Sequence, residues 1–140
     1  MQIDHDLLAT LDSAETDPSI TITTLTRDLG TTPRALRFYE EKGLLVPRRH
    51  RGRRTYGPSD QARARLIVEL RAIDVAVTEI ESILRDLLTA APEARADILK
   101  AVVVEQIARL EDTRERVATM LEEAAAVRAS LDAMKNSKAA

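Results

Sequence analysis

The chain has 140 residues, of which 44% are apolar and 31% charged, a balance that fits one compact domain with at most an appended element. Only Phe38, Tyr39 and Tyr56 are aromatic, so the core must be built from Leu, Ile, Val and Ala, as in packed helices. Cysteine is absent, which excludes disulfides, Cys-ligated zinc, iron–sulfur clusters and any thiolate nucleophile or metal sensor.

The start, MQIDHDLLAT, is acidic and lacks the basic and apolar stretches of a signal peptide. No apolar run reaches the roughly 18 residues that span a bilayer, so no membrane association and a cytoplasmic location are expected. A short helix is predicted from Ile3 to Leu11, followed by a polar linker, DSAETDPS; together they form an N-terminal extension over 1–20. In ITTLTRDLG, Ile22, Leu25 and Leu29 fall on one helical face, and Gly30 suits the position just past the helix end. Thr32 can cap a second helix with Pro33 at its first position. That helix carries Arg34 and Arg37 and stops at Gly43. Two short helices around a Gly-Thr-Thr turn make a helix-turn-helix.

Six of the seven residues 48–54 are Arg or His, and the exception is Gly52. A glycine tip followed by Thr55-Tyr56 predicts a β-ribbon wing. Gly57, Pro58 and Asp60 then open a helix with Leu66, Ile67, Leu70 and Ile73 as its buried stripe. Another runs from about Thr78 to Leu88. These elements make a winged helix-turn-helix unit over 21–90 in a mainly α protein.

From Pro92 to about Met134 one long helix is expected. Val103, Ile107, Leu110, Val117, Leu121, Ala124 and Leu131 form a heptad seam, with Arg114 and Arg128 where two core residues would stand. The predicted coiled-coil element spans 91–135, and residues 136–140 read as a disordered tail. So long a seam wants a partner helix, and a second copy of the chain is the expected one.

Charge is distributed unevenly. Between Arg27 and Arg71 stand 12 basic and 5 acidic residues, a net of +7, while the remainder carries −9. A basic middle between acidic flanks marks a polyanion-binding module. The chain offers no nucleophile–base pair and no phosphate-cradling glycines, so an enzyme is not expected. His5 and His50 lie far apart without clustered carboxylates, so neither a metal site nor a cofactor is expected. Too few aromatics are present for stacking on single-stranded RNA. A helical adaptor that dimerises through its coiled coil is the alternative reading, and it leaves the arginine-rich wing unexplained.

From Ile22 to Leu84 the sequence resembles the DNA-binding domain of the MerR family of bacterial transcription regulators. The most specific tract is RALRFYEEKGLL, with Arg34, Leu36, Arg37, Phe38, Tyr39, Glu40, Gly43, Leu44 and Leu45. The wing ending Arg54-Thr55-Tyr56, the following Asp60 and the stretch from Glu79 to Leu84 also match. The resemblance implies a winged-helix dimer whose long helices pair antiparallel. It also implies binding to a pseudo-palindromic promoter element, with distortion of that DNA for RNA polymerase. Wing spacing and overall size are similar to the short branch of the family that controls branched-chain amino-acid and acyl-CoA catabolism. No effector domain is expected after the long helix, and no residue points to a ligand.

The candidate DNA contacts are Thr32, Arg34, Arg37, Tyr39, Arg53, Arg54 and Tyr56. The Arg34 and Arg37 guanidinium forks suit guanine edges or phosphates. Arg53 and Arg54 suit backbone or a minor groove. Tyr39 and Tyr56 either donate to phosphate or pack internally, and Phe38 is expected in the core. Two departures from the family pattern stand out. Asp74-Val75-Ala76 replaces its Gly-[Phe/Met]-Ser turn, and Gly57 replaces a Ser/Thr cap.

Overall fold

The computed structural model describes residues 3–14 and 18–139. In chain order the elements are α1 (His5–Thr10), β1 (Ile20–Thr21), α2 (Ile22–Leu29), α3 (Pro33–Glu41), β2 (Arg48–His50), β3 (Arg53–Tyr56), α4 (Pro58–Ala72), α5 (Val77–Thr89) and α6 (Arg95–Lys138). A single 3₁₀ turn, Pro92–Ala94, precedes α6. The chain divides into two units, Met1–Ala101 and Val102–Ala140, the second being the continuation of α6.

Local chemistry accounts for most boundaries in the first unit. Thr21 caps α2 by accepting from the Thr24 N–H at 3.3 Å, and Gly30 ends it in the left-handed region at φ 62°. Thr32 caps α3 by accepting from the Ala35 N–H at 3.1 Å, with Pro33 at the first helical position. Gly57 precedes α4 without a side-chain cap, and Pro58 and Asp60 supply its start. Asp60 is buried, and its Oδ1 accepts from the Val46 N–H at 3.1 Å, pinning the segment that leads into the wing.

The core gathers Leu25 and Leu29 of α2, Leu36 of α3, Leu44 and Leu45 of the segment that follows it, Leu66, Ile67 and Leu70 of α4, and Ile80, Ile83, Leu84 and Leu87 of α5. Ile73, expected in the same stripe, is half-buried because it sits at the C-cap of α4. The wing is the predicted hairpin, but its sheet has three strands. β1 pairs antiparallel with β3 through Ile20↔Tyr56 and Thr21↔Thr55, giving the order β1-β3-β2. Two residues of strand immediately before a helix carry no alternation for sequence reading to detect.

The N-terminal segment is integrated into the fold. Asp4 caps α1 by accepting from the Leu7 N–H at 2.8 Å, and Leu7, Leu8 and Leu11 are buried. Arg95, the first residue of α6, is 1% exposed. Its guanidinium donates to the Leu8 carbonyl at 2.8 Å and to Asp12 Oδ1 at 3.0 Å. Arg63 Nε donates to the Leu11 carbonyl at 2.9 Å. Part of the linker expected over DSAETDPS, residues 15–17, lies outside the described residues.

Between α4 and α5 the replaced turn has a definite geometry. Asp74 stands at φ 67° where the family pattern has glycine, Val75 is fully buried, and Ala76 precedes α5 with no side-chain cap. Arg71 closes the turn by donating to the Val75 carbonyl at 2.8 Å.

In the second unit, helix continues to Lys138 and not only to about Met134. Lys135 and Lys138 in the last turn complement the helix dipole there. Ala140 of the expected tail lies outside the described residues. The whole of α6 is 44 residues, about 66 Å at 1.5 Å per residue.

Candidate nucleic-acid interface

Arg34 and Arg37 are exposed and stand three residues apart, on one side of α3. Thr32, at the head of the same helix, is exposed, with its hydroxyl engaged in the cap. Tyr39 faces the opposite way and is buried, so it packs α3 against the domain. Phe38, expected in the core, is instead 40% exposed. Its ring lies 5.9 Å from that of Tyr39, and Lys42 Nζ stands over it at 5.6 Å. Leu36 and Tyr39 already fill the buried side of a nine-residue helix, which leaves Phe38 on its flank.

The wing tip turns through Arg51 at φ 49° and Gly52 at φ 77°, positive φ at both central residues as a type I′ hairpin requires. Below the tip the ladder sets His50 opposite Arg53 and Arg49 opposite Arg54. Like charges directly opposed across a hairpin repel, so the ribbon carries a built-in demand for anions. Arg49 and Arg53 are exposed. Arg54 is half-buried, with Nε donating to Glu40 Oε2 at 3.1 Å.

Glu40 is the residue that sequence reasoning quoted but assigned no task. It projects from α3 toward the wing, accepts from Arg54 with one oxygen and from the Tyr56 hydroxyl with the other. Tyr56 is completely buried, so of its two readings the structure supports packing of the wing on the helix. Burial first, and the Glu40 carboxylate second, push its phenol above the ordinary value of 10.0. The carboxylate therefore fixes the distance between the arginines of α3 and those of the wing.

Between these parts lies an open concavity of about 360 Å³ lined by Thr21, Ile22, Thr23, Arg37, Gly52, Arg53 and Arg54. It joins the N-terminal end of α2, whose N–H groups and dipole favour negative charge, to three arginines. Thr21 and Thr23 were not singled out from the sequence, because only the pairing of β1 with β3 brings them beside the wing. Among the described residues no group of His, Asp or Glu could hold a metal ion, and no helix is long and apolar enough to cross a membrane.

A winged helix-turn-helix with arginines on its second helix and on its wing defines a DNA-binding regulator domain, not an enzyme. Residues 20–87 match the sequence pattern of the family described as MerR HTH family regulatory protein. That region is a MerR-type helix-turn-helix, which supports a DNA-binding transcription regulator. Among solved structures the chain is similar to HiNmlR, a MerR family regulator lacking the sensor domain, crystallised bound to promoter DNA. The likeness covers 75% of this chain and 80% of that one at 19% identity, with a TM-score of 0.57, which establishes a shared fold. No curated protein matches the chain.

Proposed function

We propose that the protein binds a pseudo-palindromic promoter element as a homodimer, with each α3 in a major groove and each wing on the flanking backbone. The observation that carries this reading is the single concavity lined by Arg37 of α3 and Arg53 and Arg54 of the wing, with Glu40 of α3 bound to both Arg54 and Tyr56. In this division of labour Arg34 and Arg37 read base edges, Arg53 neutralises phosphate, Arg54 and Thr32 sit beside the backbone, and Tyr39 and Tyr56 hold the frame. Distortion of the bound DNA, acting on RNA polymerase at the promoter, is the activity the family resemblance supports. The likeness to HiNmlR, solved on promoter DNA, supports the same target.

Dimerisation is assigned to α6. Ile107, Leu110, Val117, Leu121 and Leu131 are all exposed, between 40% and 66%, on a helix that buries none of them within its own chain. Ala124 is exposed and Val103 half-buried. Similarity to the short branch of the family rests on size and wing spacing and supplies no effector residue.

Selection of duplex DNA from a random pool tests the base-reading role. The wild type should enrich one two-fold-related motif. Arg34→Ala should lose about 1–3 kcal/mol on it and relax preference at one position in each half-site. Equal weakening on the selected motif and on random DNA would make Arg34 a phosphate clamp and overturn the assignment.

A further inference from the structure

Of the chain's three aromatic rings the fold leaves only that of Phe38 in solvent: it is 40% exposed, whereas Tyr39 and Tyr56 are buried. A single exposed ring is common on protein surfaces, so its position decides what it can do. Phe38 follows Arg34 by four residues, which puts both on one side of α3, about 6 Å apart along the axis at 1.5 Å per residue. Lys42, four residues further on, extends the row, with its ammonium 5.6 Å from the ring centre. The wing stands on the other flank, beside Arg37 and Glu40. Two contacts brace the ring: Tyr39 meets it at 5.9 Å with a tilt of 57°, and Lys42 lies over one face. The rest of the ring is a fixed apolar surface between two cations, on the helix that carries the base-reading arginines.

We propose that Phe38 is a specificity-determining residue, whose ring reads the C5-methyl group of a thymine in the major groove. The inference rests on the placement of α3 in that groove made above. Thymine alone among the bases presents an apolar group there, and a phenyl ring can neither donate nor accept the hydrogen bonds that distinguish the others. Bases stack about 3.4 Å apart along a strand, so one turn of α3 spans about two of them. The thymine therefore lies one or two base pairs from the pair that Arg34 contacts. Lys42, at the end of the row, supplies charge for the phosphate beside it. The flanking cations also decide against an apolar protein surface as the occupant, because docking one here would strip water from both charges.

Replacing thymine by deoxyuridine deletes that methyl group and keeps every hydrogen-bonding group of the base, so it isolates the contact. On the motif enriched by the full wild-type chain, each thymine is exchanged in turn in both half-sites. Binding is then titrated for the wild type, Phe38→Ala, Phe38→Leu and Arg34→Ala. One thymine per half-site should respond in the wild type, with binding about fourfold weaker for each methyl group removed. Phe38→Ala should bind the thymine and deoxyuridine duplexes equally, and Phe38→Leu should keep part of the difference. Arg34→Ala, which removes a separate contact, should retain it. If no thymine responds in the wild type, the proposal is overturned. It is overturned equally if Phe38→Ala weakens every duplex and leaves the response intact, since the ring then only braces α3. Conversion of Phe38→Ala to a monomer in sedimentation, with the response intact, would mean that a second copy covers the ring, and would also overturn it. A wild type that enriches no motif at all defeats the base-reading assignment of α3 itself, and this proposal with it.

Discussion

The phenol of Tyr56, at the end of the wing, donates its hydrogen to the carboxylate of Glu40 on α3. With Arg54 on the other oxygen, one carboxylate ties the wing to the helix that carries Arg34 and Arg37. Coulomb's law alone says that Glu40→Ala, which deletes a negative charge beside DNA, should tighten binding. Loss of the tie between wing and helix acts in the opposite direction. Glu40→Ala should unfold about 1–3 kcal/mol more easily, since a buried hydroxyl loses its acceptor. It should also bind operator more weakly. Thermal denaturation and a binding titration on one preparation decide between the two, and tighter binding would show that wing placement does not limit affinity.

The same contact gives a pH signature. The folded-state pKa of Tyr56 is raised above 10.0, so the neutral phenol stabilises the fold below that value and the contribution is lost as pH rises through the folded pKa. Wild-type stability should therefore fall on the alkaline side more steeply than that of Tyr56→Phe. Parallel alkaline limbs in urea denaturation would contradict this.

Asp12 and Arg95 join the N-terminal segment to the first turn of α6. The Arg95 hydrogen bond holds the Asp12 carboxyl below its ordinary 3.8. Its stabilisation is therefore present above pH 3.8 and lost as pH falls through the lower folded value. Asp12→Ala leaves a buried guanidinium with one fewer partner, so it should cost more than the double change Asp12→Ala with Arg95→Met, which removes the charge as well. A double-mutant cycle by chemical denaturation measures the coupling, and additive effects would refute it.

The α4–α5 turn is a place where this chain is less stable than it could be. Asp74 holds a left-handed conformation, and Ala76 leaves the start of α5 without a side-chain acceptor. Asp74→Gly and Ala76→Ser should each raise stability, by roughly 0.5–1 kcal/mol, and do so additively. Calorimetry showing either change to be destabilising would mean that the turn is not built as described.

Much of this architecture is legible in the sequence because it is written locally. Thr32-Pro33, Gly30, Gly43 and Pro58 punctuate helices through caps and fixed φ, and the run 48–54 has no stable home but a solvated ribbon. What stayed hidden is long-range. Phe38 looks like core by composition, but its side of α3 is decided by which neighbours fill the interior first. Glu40 lies 14 residues from Arg54 and 16 from Tyr56, and Asp12 lies 83 from Arg95, separations that no helical or strand period encodes. The pairing of Ile20-Thr21 with the wing is hidden for the same reason, and with it the place of Thr21 and Thr23 beside the arginines.

The central claim is that α3 and the wing together grip duplex DNA, two copies at a time. The dependence of affinity on salt tests it most directly. Arg53→Ala should lower the slope of log K against log salt by nearly two, at about 0.9 per phosphate contact and two wings per dimer, on operator and random duplex alike. Arg34→Ala should change the slope less and the ratio of operator to random affinity more. An unchanged slope for Arg53→Ala, or equal affinity of the wild type for duplex DNA and single-stranded RNA, would contradict the account.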